Sequence, residues 1–305
     1  MNRVGIQSAP LITAEDYEEG IKLIKEAGFD CIDFSLDERG NVRAVINGEK
    51  DEYFSKSGER LVEEHRNLKK ALDEAGITVS QLHGPFPVYI DGNEEATKFL
   101  IDATIKSFMV SEFLGSPYVV VHPSSLPHDK KREKEGNMEM YKTLIPYAKK
   151  YNVKICLENM FYVNDGHIYE ACCSDIREAC EYIDELNEIA GEDMFSFCYD
   201  LGHANLLGKP IRESLQMLGK RLTTLHIHDN DGVLDLHRQP YAFSHYTGYI
   251  TDWDGFVNGL KDIGYEGALS FETFNSVSYL PLKMRPVMLQ FIAGTGKYFA
   301  SELSK

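Results

Sequence analysis

The stretch Leu222 to Gly232, "LTTLHIHDNDG", begins as a β-branched, apolar run and ends in two histidines followed by acids and an amide. A strand packed on both faces accounts for the apolar part. His226, His228, Asp229 and Asp231 cannot all fill a core, because buried polar groups need partners. The pattern recurs along the chain: apolar runs end in His83 ("ITVSQLHG"), His122 ("YVVVHP"), Glu158 ("VKICLEN"), Asp200 ("FSFCYD", with His203 three residues on) and Glu272 ("GALSFET"). Any one of these, taken alone, is an ordinary solvated loop residue. Together they bring half of the ten histidines to strand ends, beside three carboxylates.

Strand periodicity says which of these groups share a side. In the last run Leu269 and Phe271 point one way while Ala268, Ser270 and Glu272 point the other; in "FSFCYD" Phe195, Phe197 and Tyr199 oppose Ser196, Cys198 and Asp200. The bulky set suits helices packed outside, and the small and polar set suits an interior that gathers Glu158, Asp200, His226 and Glu272 at its mouth. Three carboxylates and an imidazole so close together repel unless a cation sits among them. A divalent metal is the simplest cation, and an oxygen-rich set with one nitrogen suits Mn, Mg, Zn or Co.

The elements that must position these groups are eight β-rich runs, Arg3–Ala9, Cys31–Leu36, Ile77–Gly84, Tyr118–Pro123, Val153–Asn159, Phe195–Asp200, Leu222–His228 and Gly267–Thr273, separated by amphipathic stretches. "AEDYEEGIKLIKEAG" sets Tyr17, Ile21, Ile24 and Ala27 on one helical stripe. Gly28, Gly76, Gly115 and Gly264 stand where left-handed turns would close helices before the next strand. Eight units in unbroken alternation predict an α/β fold, a (β/α)8 TIM barrel forming a single domain over residues 1–305. A doubly wound sheet would more often carry a glycine-rich phosphate turn after its first strand, and "GIQSAPLI" is nothing of that kind. The irregular segments Asp37–Ser57, Pro123–Glu135 and Asp229–Thr251 all follow strands, which in a barrel puts them on the C-terminal face.

Composition limits the partners. Against 48 acidic residues stand 32 Lys and Arg, a formal charge of −16 that repels nucleic acid and anionic membranes. The six cysteines show no CxxC pair, and no run approaches the roughly 20 apolar residues that span a bilayer. A reduced, cytoplasmic protein acting on a small molecule is the expectation. Lys130, Lys131 and Arg132 form a basic cluster, read as a solvated loop or a phosphate clamp, and Trp253 is read as packing the last repeat.

The blocks "LHGPF", "VVVHP", "ICLEN", "YDLGHAN", "LHIHDND" and "DWDGFVNGLKDIGYEGALSFE", in this order at one-strand intervals, resemble the xylose-isomerase-like TIM barrels. That family includes sugar and sugar-phosphate isomerases and epimerases and the endonuclease IV type of repair enzyme. The resemblance implies one divalent ion held by Glu158, Asp200, His226 and Glu272. It implies Glu158 and Glu272 as the acid/base pair that moves a proton next to a carbonyl, through a metal-stabilised enediolate, on a sugar, sugar phosphate or cyclitol. His83, His122, His203, His228, Asp235 and His237 are the substrate-facing residues it suggests, and a homo-oligomer is common in the family. A dehydratase or glycoside lyase could use the same metal and base. The repair enzymes, abasic-site DNA endonucleases with three metals, are the alternative, since His83, His122, His203, Asp235 and His237 trace their pattern too. Ketose 3-epimerases of the family carry a glutamate and an arginine where Asn164 and Gly232 stand here.

Overall fold

The structure, a computed structural model, describes residues 1–12, 16–36, 39–243 and 250–305. Its strands are β1 (Val4–Gln7), β2 (Cys31–Ser35), β3 (Thr78–His83), β4 (Tyr118–Val120), β5 (Lys154–Glu158), β6 (Phe161–Asn164), β7 (His167–Glu170), β8 (Phe195–Asp200), β9 (Leu222–His226) and β10 (Leu269–Phe271). Strands β6 and β7 form a separate antiparallel hairpin; the other eight pair in the order β10-β1-β2-β3-β4-β5-β8-β9, all parallel. The ends of that sheet meet: Ile227 N–H donates to the Ser270 carbonyl at 2.9 Å and Glu272 N–H to the Ile227 carbonyl at 3.0 Å. The result is the (β/α)8 barrel expected from the alternation of runs.

Around it lie α1 (Glu18–Ala27), α2 (Val42–Ile46), α3 (Gly58–Glu64), α4 (Arg66–Ala75), α5 (Glu94–Leu114), α6 (Lys130–Lys150), α7 (Ile176–Ala190), α8 (Leu201–Leu206), α9 (Ile211–Leu218), α10 (Trp253–Asp262), α11 (Phe274–Ser278) and α12 (Arg285–Leu303). Helix α1 buries Ile21, Ile24 and Ala27, with Tyr17 against the core, as the stripe requires. The expected start of that helix at Ala14 falls in residues 13–15, outside the described residues. Side chains of Asn93, Asp129, Asp175 and Asp252 accept backbone N–H groups at the starts of α5, α6, α7 and α10, each such cap contributing about 1 kcal/mol. Gly28, Gly76, Gly115 and Gly264 take positive φ of 95°, 66°, 81° and 63° at the helix ends.

The two faces of each strand separate as the alternation predicts. Phe195 packs edge-on against Tyr141 of α6, and Phe271 stacks on Phe299 of α12. Val120, Cys156 and Cys198 form a small cluster of their own. All six cysteines are free thiols, five of them buried. Trp253 is buried and stacked on Phe299 at 5.7 Å. No helix among the described residues is long and apolar enough to cross a membrane.

Two of the irregular segments differ from expectation. The basic cluster belongs to the first turn of α6, not to a loop, and its cations are paired: Lys130 with Glu133 (2.7 Å), Lys131 with Glu135 (3.8 Å) and Arg132 with Asp91 (2.7 Å). Asp37–Ser57 contains α2, while its residues 37–38, like residues 244–249 of Asp229–Thr251, lie outside the described residues.

Candidate metal and catalytic centre

The C-terminal ends of β5, β8 and β9 deliver Glu158, Asp200 and His226, and Glu272 follows β10 directly. All four are buried. His226 Nδ1 lies 3.3 Å from Glu158 Oε2, 3.5 Å from Glu272 Oε2 and 3.9 Å from Asp200 Oδ2. The four residues read from separate strand ends therefore surround one point.

Local structure aims each of them. Asp200 ends β8 and also caps α8, its Oδ1 accepting the His203 N–H at 2.7 Å, so the same turn sets His203 into the first turn of the helix. Asn159 clamps β5 to β8: its Nδ2 donates to the Asp200 carbonyl and its Oδ1 accepts the Asp200 N–H, both at 2.8 Å. Gln7 Nε2 donates to Glu272 Oε1 at 2.7 Å, leaving Oε2 turned towards His226. His226 Nε2 meets Asp33 Oδ2 at 3.1 Å, and Gln81 Nε2 donates to that same oxygen at 3.1 Å. In the neutral tautomer this contact selects, Nε2 carries the proton and Nδ1 presents its lone pair to the three carboxylates. Gly202 is required by crowding, since a Cβ there would sit 1.9 Å from His228 Cε1.

Two further groups flank this centre. On one side, His122 Nε2 is 3.1 Å from Glu158 Oε2 and 3.0 Å from His83 Nε2. On the other, His203 Nε2 lies 3.8 Å from both Asp200 Oδ2 and Asp235 Oδ2; His228 Nε2 is 3.1 Å from Asp200 Oδ1; and His237 Nε2 is 2.8 Å from Asp235 Oδ2. Every residue read as a metal ligand or as substrate-facing is thus on one continuous rim, bridged by Glu158 and Asp200. An aromatic ring stands beside three of its histidines: Phe86 by His122 (4.9 Å), Phe161 by His203 (4.9 Å) and Phe274 by His237 (4.3 Å). At the two departures, Asn164 is exposed in β6, and Gly232 has φ of 74° in the loop after β9, where its N–H donates to Asn230 Oδ1.

The electrostatics match a cation-binding set. Burial pushes the Glu158 carboxyl up, but the His226 and His122 imidazoles outweigh it and hold it well below the usual carboxylate range. Burial, abetted by the charges of Asp200 and Glu158 and only partly offset by His226, pushes Glu272 up to about 8. Burial opposes charge on His226, yet Cys198, Glu272, Glu158 and Asp33 raise it well above the ordinary imidazole value. His203 is raised to about 10, Asp200 and Asp235 overcoming its burial. Without a metal, protons take the cation's place. His226 Nδ1 is buried with no hydrogen-bond partner, which native structures seldom tolerate without a ligand. His, Asp and Glu atoms along the rim are close enough for metal binding in several sets of three, including His83–His122–Glu158, Asp200–His203–His228 and His228–Asp235–His237.

Asp33, Gln7, Gln81 and Asn159 are absent from the sequence reading of the site. Each is a polar residue in an apolar run, and the first three lie inside β2, β1 and β3. The signal was their parity: Gln81 lies two residues before His83, on the same side of its strand.

Fold and rim together define a (β/α)8 barrel with a buried carboxylate–histidine centre at the C-terminal mouth. The chain belongs to the xylose isomerase-like TIM barrel family, whose sequence model matches residues 21–288. An uncharacterised protein of Methanocaldococcus jannaschii is 28% identical over 195 residues, a match that takes in 60% of this chain and 59% of that protein, so the chain spans about three fifths of its length. Among solved structures, a D-tagatose 3-epimerase-like protein superposes with a TM-score of 0.71 at 20% identity, covering 99% of this chain and 100% of that one. A 3-keto-D-glucoside 4-epimerase from E. coli superposes with a TM-score of 0.68 at 18% identity, covering 96% and 100%. At these identities the likeness is one of fold.

Proposed function

We propose that the protein is a divalent-metal-dependent isomerase or epimerase that moves a proton next to a carbonyl on a sugar, sugar phosphate or cyclitol. The observation that carries this reading is the pair of buried carboxyls Glu158 and Glu272, delivered by two different strand ends and both within 3.5 Å of His226 Nδ1. Two buried carboxyls converging on one point can serve as base and acid on a substrate bound between them. The fold it shares with sugar epimerases fits the same reading.

Glu158, Asp200, His226 and Glu272 are the proposed holders of the cation, Mn, Zn, Mg or Co, which when bound supplies Lewis-acid polarisation of the substrate carbonyl. The chain's own residues do the rest. Glu158 takes the proton from the carbon beside the carbonyl and Glu272 returns one from the other face. His203, raised to about 10, is a proton-bearing donor for a substrate oxygen, together with His228, Asp235 and His237 on its side and His83 and His122 on the other. The rings of Phe86, Phe161 and Phe274 offer apolar faces to the C–H side of a sugar.

Exchange of a substrate C–H with solvent deuterium, read by NMR over a panel of ketoses and their phosphates, tests the reaction. It is expected with metal present and lost in Glu158→Gln and Glu272→Gln; full exchange in both variants would reject the two-carboxylate scheme. One observation favours a second reading, an abasic-site endonuclease of the endonuclease IV type: the metal-competent sets on either side of the central one. Metal counting on the purified protein, paired with incision of a synthetic abasic duplex, separates the two, one ion without incision for the sugar enzyme and three with incision for the nuclease.

A further inference from the structure

Helix α12 is apolar on two sides. Leu289, Ile292, Gly296 and Phe299 are buried against the barrel, as a covering helix requires. Val287, Phe291 and Tyr298 lie on the side away from it, at positions i, i+4 and i+11, and are 58%, 49% and 52% exposed. The turn that leads into the helix adds Met284, Tyr279 and Leu282, the last two 77% and 74% exposed. These six side chains open roughly 600 Å² of apolar surface, given about 150–250 Å² for a whole aromatic side chain. Exposed apolar residues scattered singly are ordinary, whereas a set of this size on one helix and its leading turn marks a surface that something covers.

The charge of this face is unlike that of the rest of the chain. No Asp or Glu occurs between Glu272 and Glu302, a stretch that carries Lys283, Arg285 and Lys297. Two chains of formal charge −16 approach most easily through faces without carboxylates. Helix α12 packs between α1 and α10, which carry exposed acids such as Glu26 and Asp254. Crossing two α12 helices about a two-fold axis sets the cations at the ends of each over those neighbours in the other copy. Gly294, between Phe291 and Tyr298 on the exposed stripe, gives the crossing room: a Cβ built there meets nothing within 4 Å.

We infer that the outer face of α12, with its leading turn, is the contact surface for a second copy of this chain, in a two-fold dimer whose α12 helices cross at Gly294 with Phe291 and Tyr298 interleaved. The patch counted on both copies is roughly 1,200 Å², the lower end of stable, specific interfaces. The contact lies one short helix from the carboxylate–histidine rim, because α11 runs from Phe274, stacked on His237, to the start of that turn.

Sedimentation equilibrium of the intact chain tests this, and a dimer is expected at about 10–100 µM. Phe291→Glu puts a charge at the centre of the contact and is expected to raise the dissociation constant about 100-fold or more. Gly294→Leu separates contact from fold. A leucine at an open helical position keeps the native circular dichroism but fills the gap between the helices, so the dissociation constant is expected to rise at least about tenfold. A chain that stays monomeric up to about 100 µM would overturn the proposal. A dimer that both variants leave as tight as before would also overturn it, by placing the contact elsewhere. So would a monomer that sediments with phosphatidylserine vesicles, which would give the basic, apolar face to a membrane.

Discussion

His226 has two nitrogens and two kinds of neighbour, and which nitrogen faces the carboxylates is settled by Asp33 at 3.1 Å from Nε2. A carboxylate behind an imidazole fixes its tautomer and raises its basicity as a ligand, an effect that typically changes metal affinity 10- to 100-fold. Asp33→Leu is therefore expected to weaken binding of Mn or Zn by about that factor, measured by competition with a chelating dye; an unchanged affinity would mean that His226 is oriented by packing alone. The protons of the metal-free centre make a second expectation. Glu272 sits at about 8 and His203 at about 10, and His226 is raised in the same direction, so metal must displace protons to bind. Affinity should rise with pH up to about 8, roughly tenfold per pH unit for each proton released. For the metal-free fold the sign is opposite: a folded-state value raised above the ordinary one stabilises at low pH. The contribution of Glu272 is complete below 4.5 and is lost as pH climbs through about 8. Titration in buffers of different ionisation enthalpy counts the protons, and binding independent of pH between 6 and 8 would contradict the assignment.

The strand ends were legible because each is a short apolar run that stops on a polar side chain. The supports were not, because Gln7, Asp33 and Gln81 lie among apolar neighbours, where a polar residue reads as an interruption until the barrel shows what faces it. At the scale of elements the same holds for the joint between β5 and β8. Asn159 satisfies both the N–H and the carbonyl of Asp200, and its own carbonyl accepts from His203 Nδ1 at 2.8 Å. Asn159→Ala leaves two buried backbone groups unpaired, a cost of about 1–3 kcal/mol for each. Urea unfolding of that variant should show a loss of at least about 2 kcal/mol, and a midpoint like that of the wild type would show that the clamp is redundant. The hairpin β6–β7 is the element absent from the sequence reading, although its signal is there. Asp165 and Gly166, with φ of 50° and 77°, form a two-residue turn between alternating residues, and Tyr162 stacks across it on Tyr169 at 5.2 Å. Asp-Gly flanked by such alternation is a strong local hairpin signal. It sits inside a strand-to-helix connection, where the repeat leads one to expect only loop. Its first residue, Phe161, packs on His203, so this insertion shapes the wall of the centre.

Across the whole molecule, the formal charge of −16 and the concentration of buried acids at one mouth pull in the same direction. Glu158, Asp200, Glu272 and Asp33 are all at most 5% exposed, and Asp235 is held well below its usual value by His203 and His237 despite its burial. Protonated histidines offset this charge only in part, and each proton held there leaves as pH rises. A divalent ion, once bound, would compensate the same charge without titrating, and it would bind only the folded chain, because the proposed ligands come from β5, β8, β9 and the end of β10 and are far apart once unfolded. Folding is then linked to metal: at a free concentration of about 100 times Kd, the native state gains about 2.7 kcal/mol. For a chain of 305 residues that is a rise in Tm of about 4 °C. Melts recorded with a chelator and with added Mn or Zn should differ by that amount, by more at pH 8 than at pH 6, and Asp33→Leu should shrink the gap. A melt indifferent to chelator at both pH values would leave the centre as a proton-stabilised network of acids and imidazoles, and the proposed chemistry would lose its electrophile.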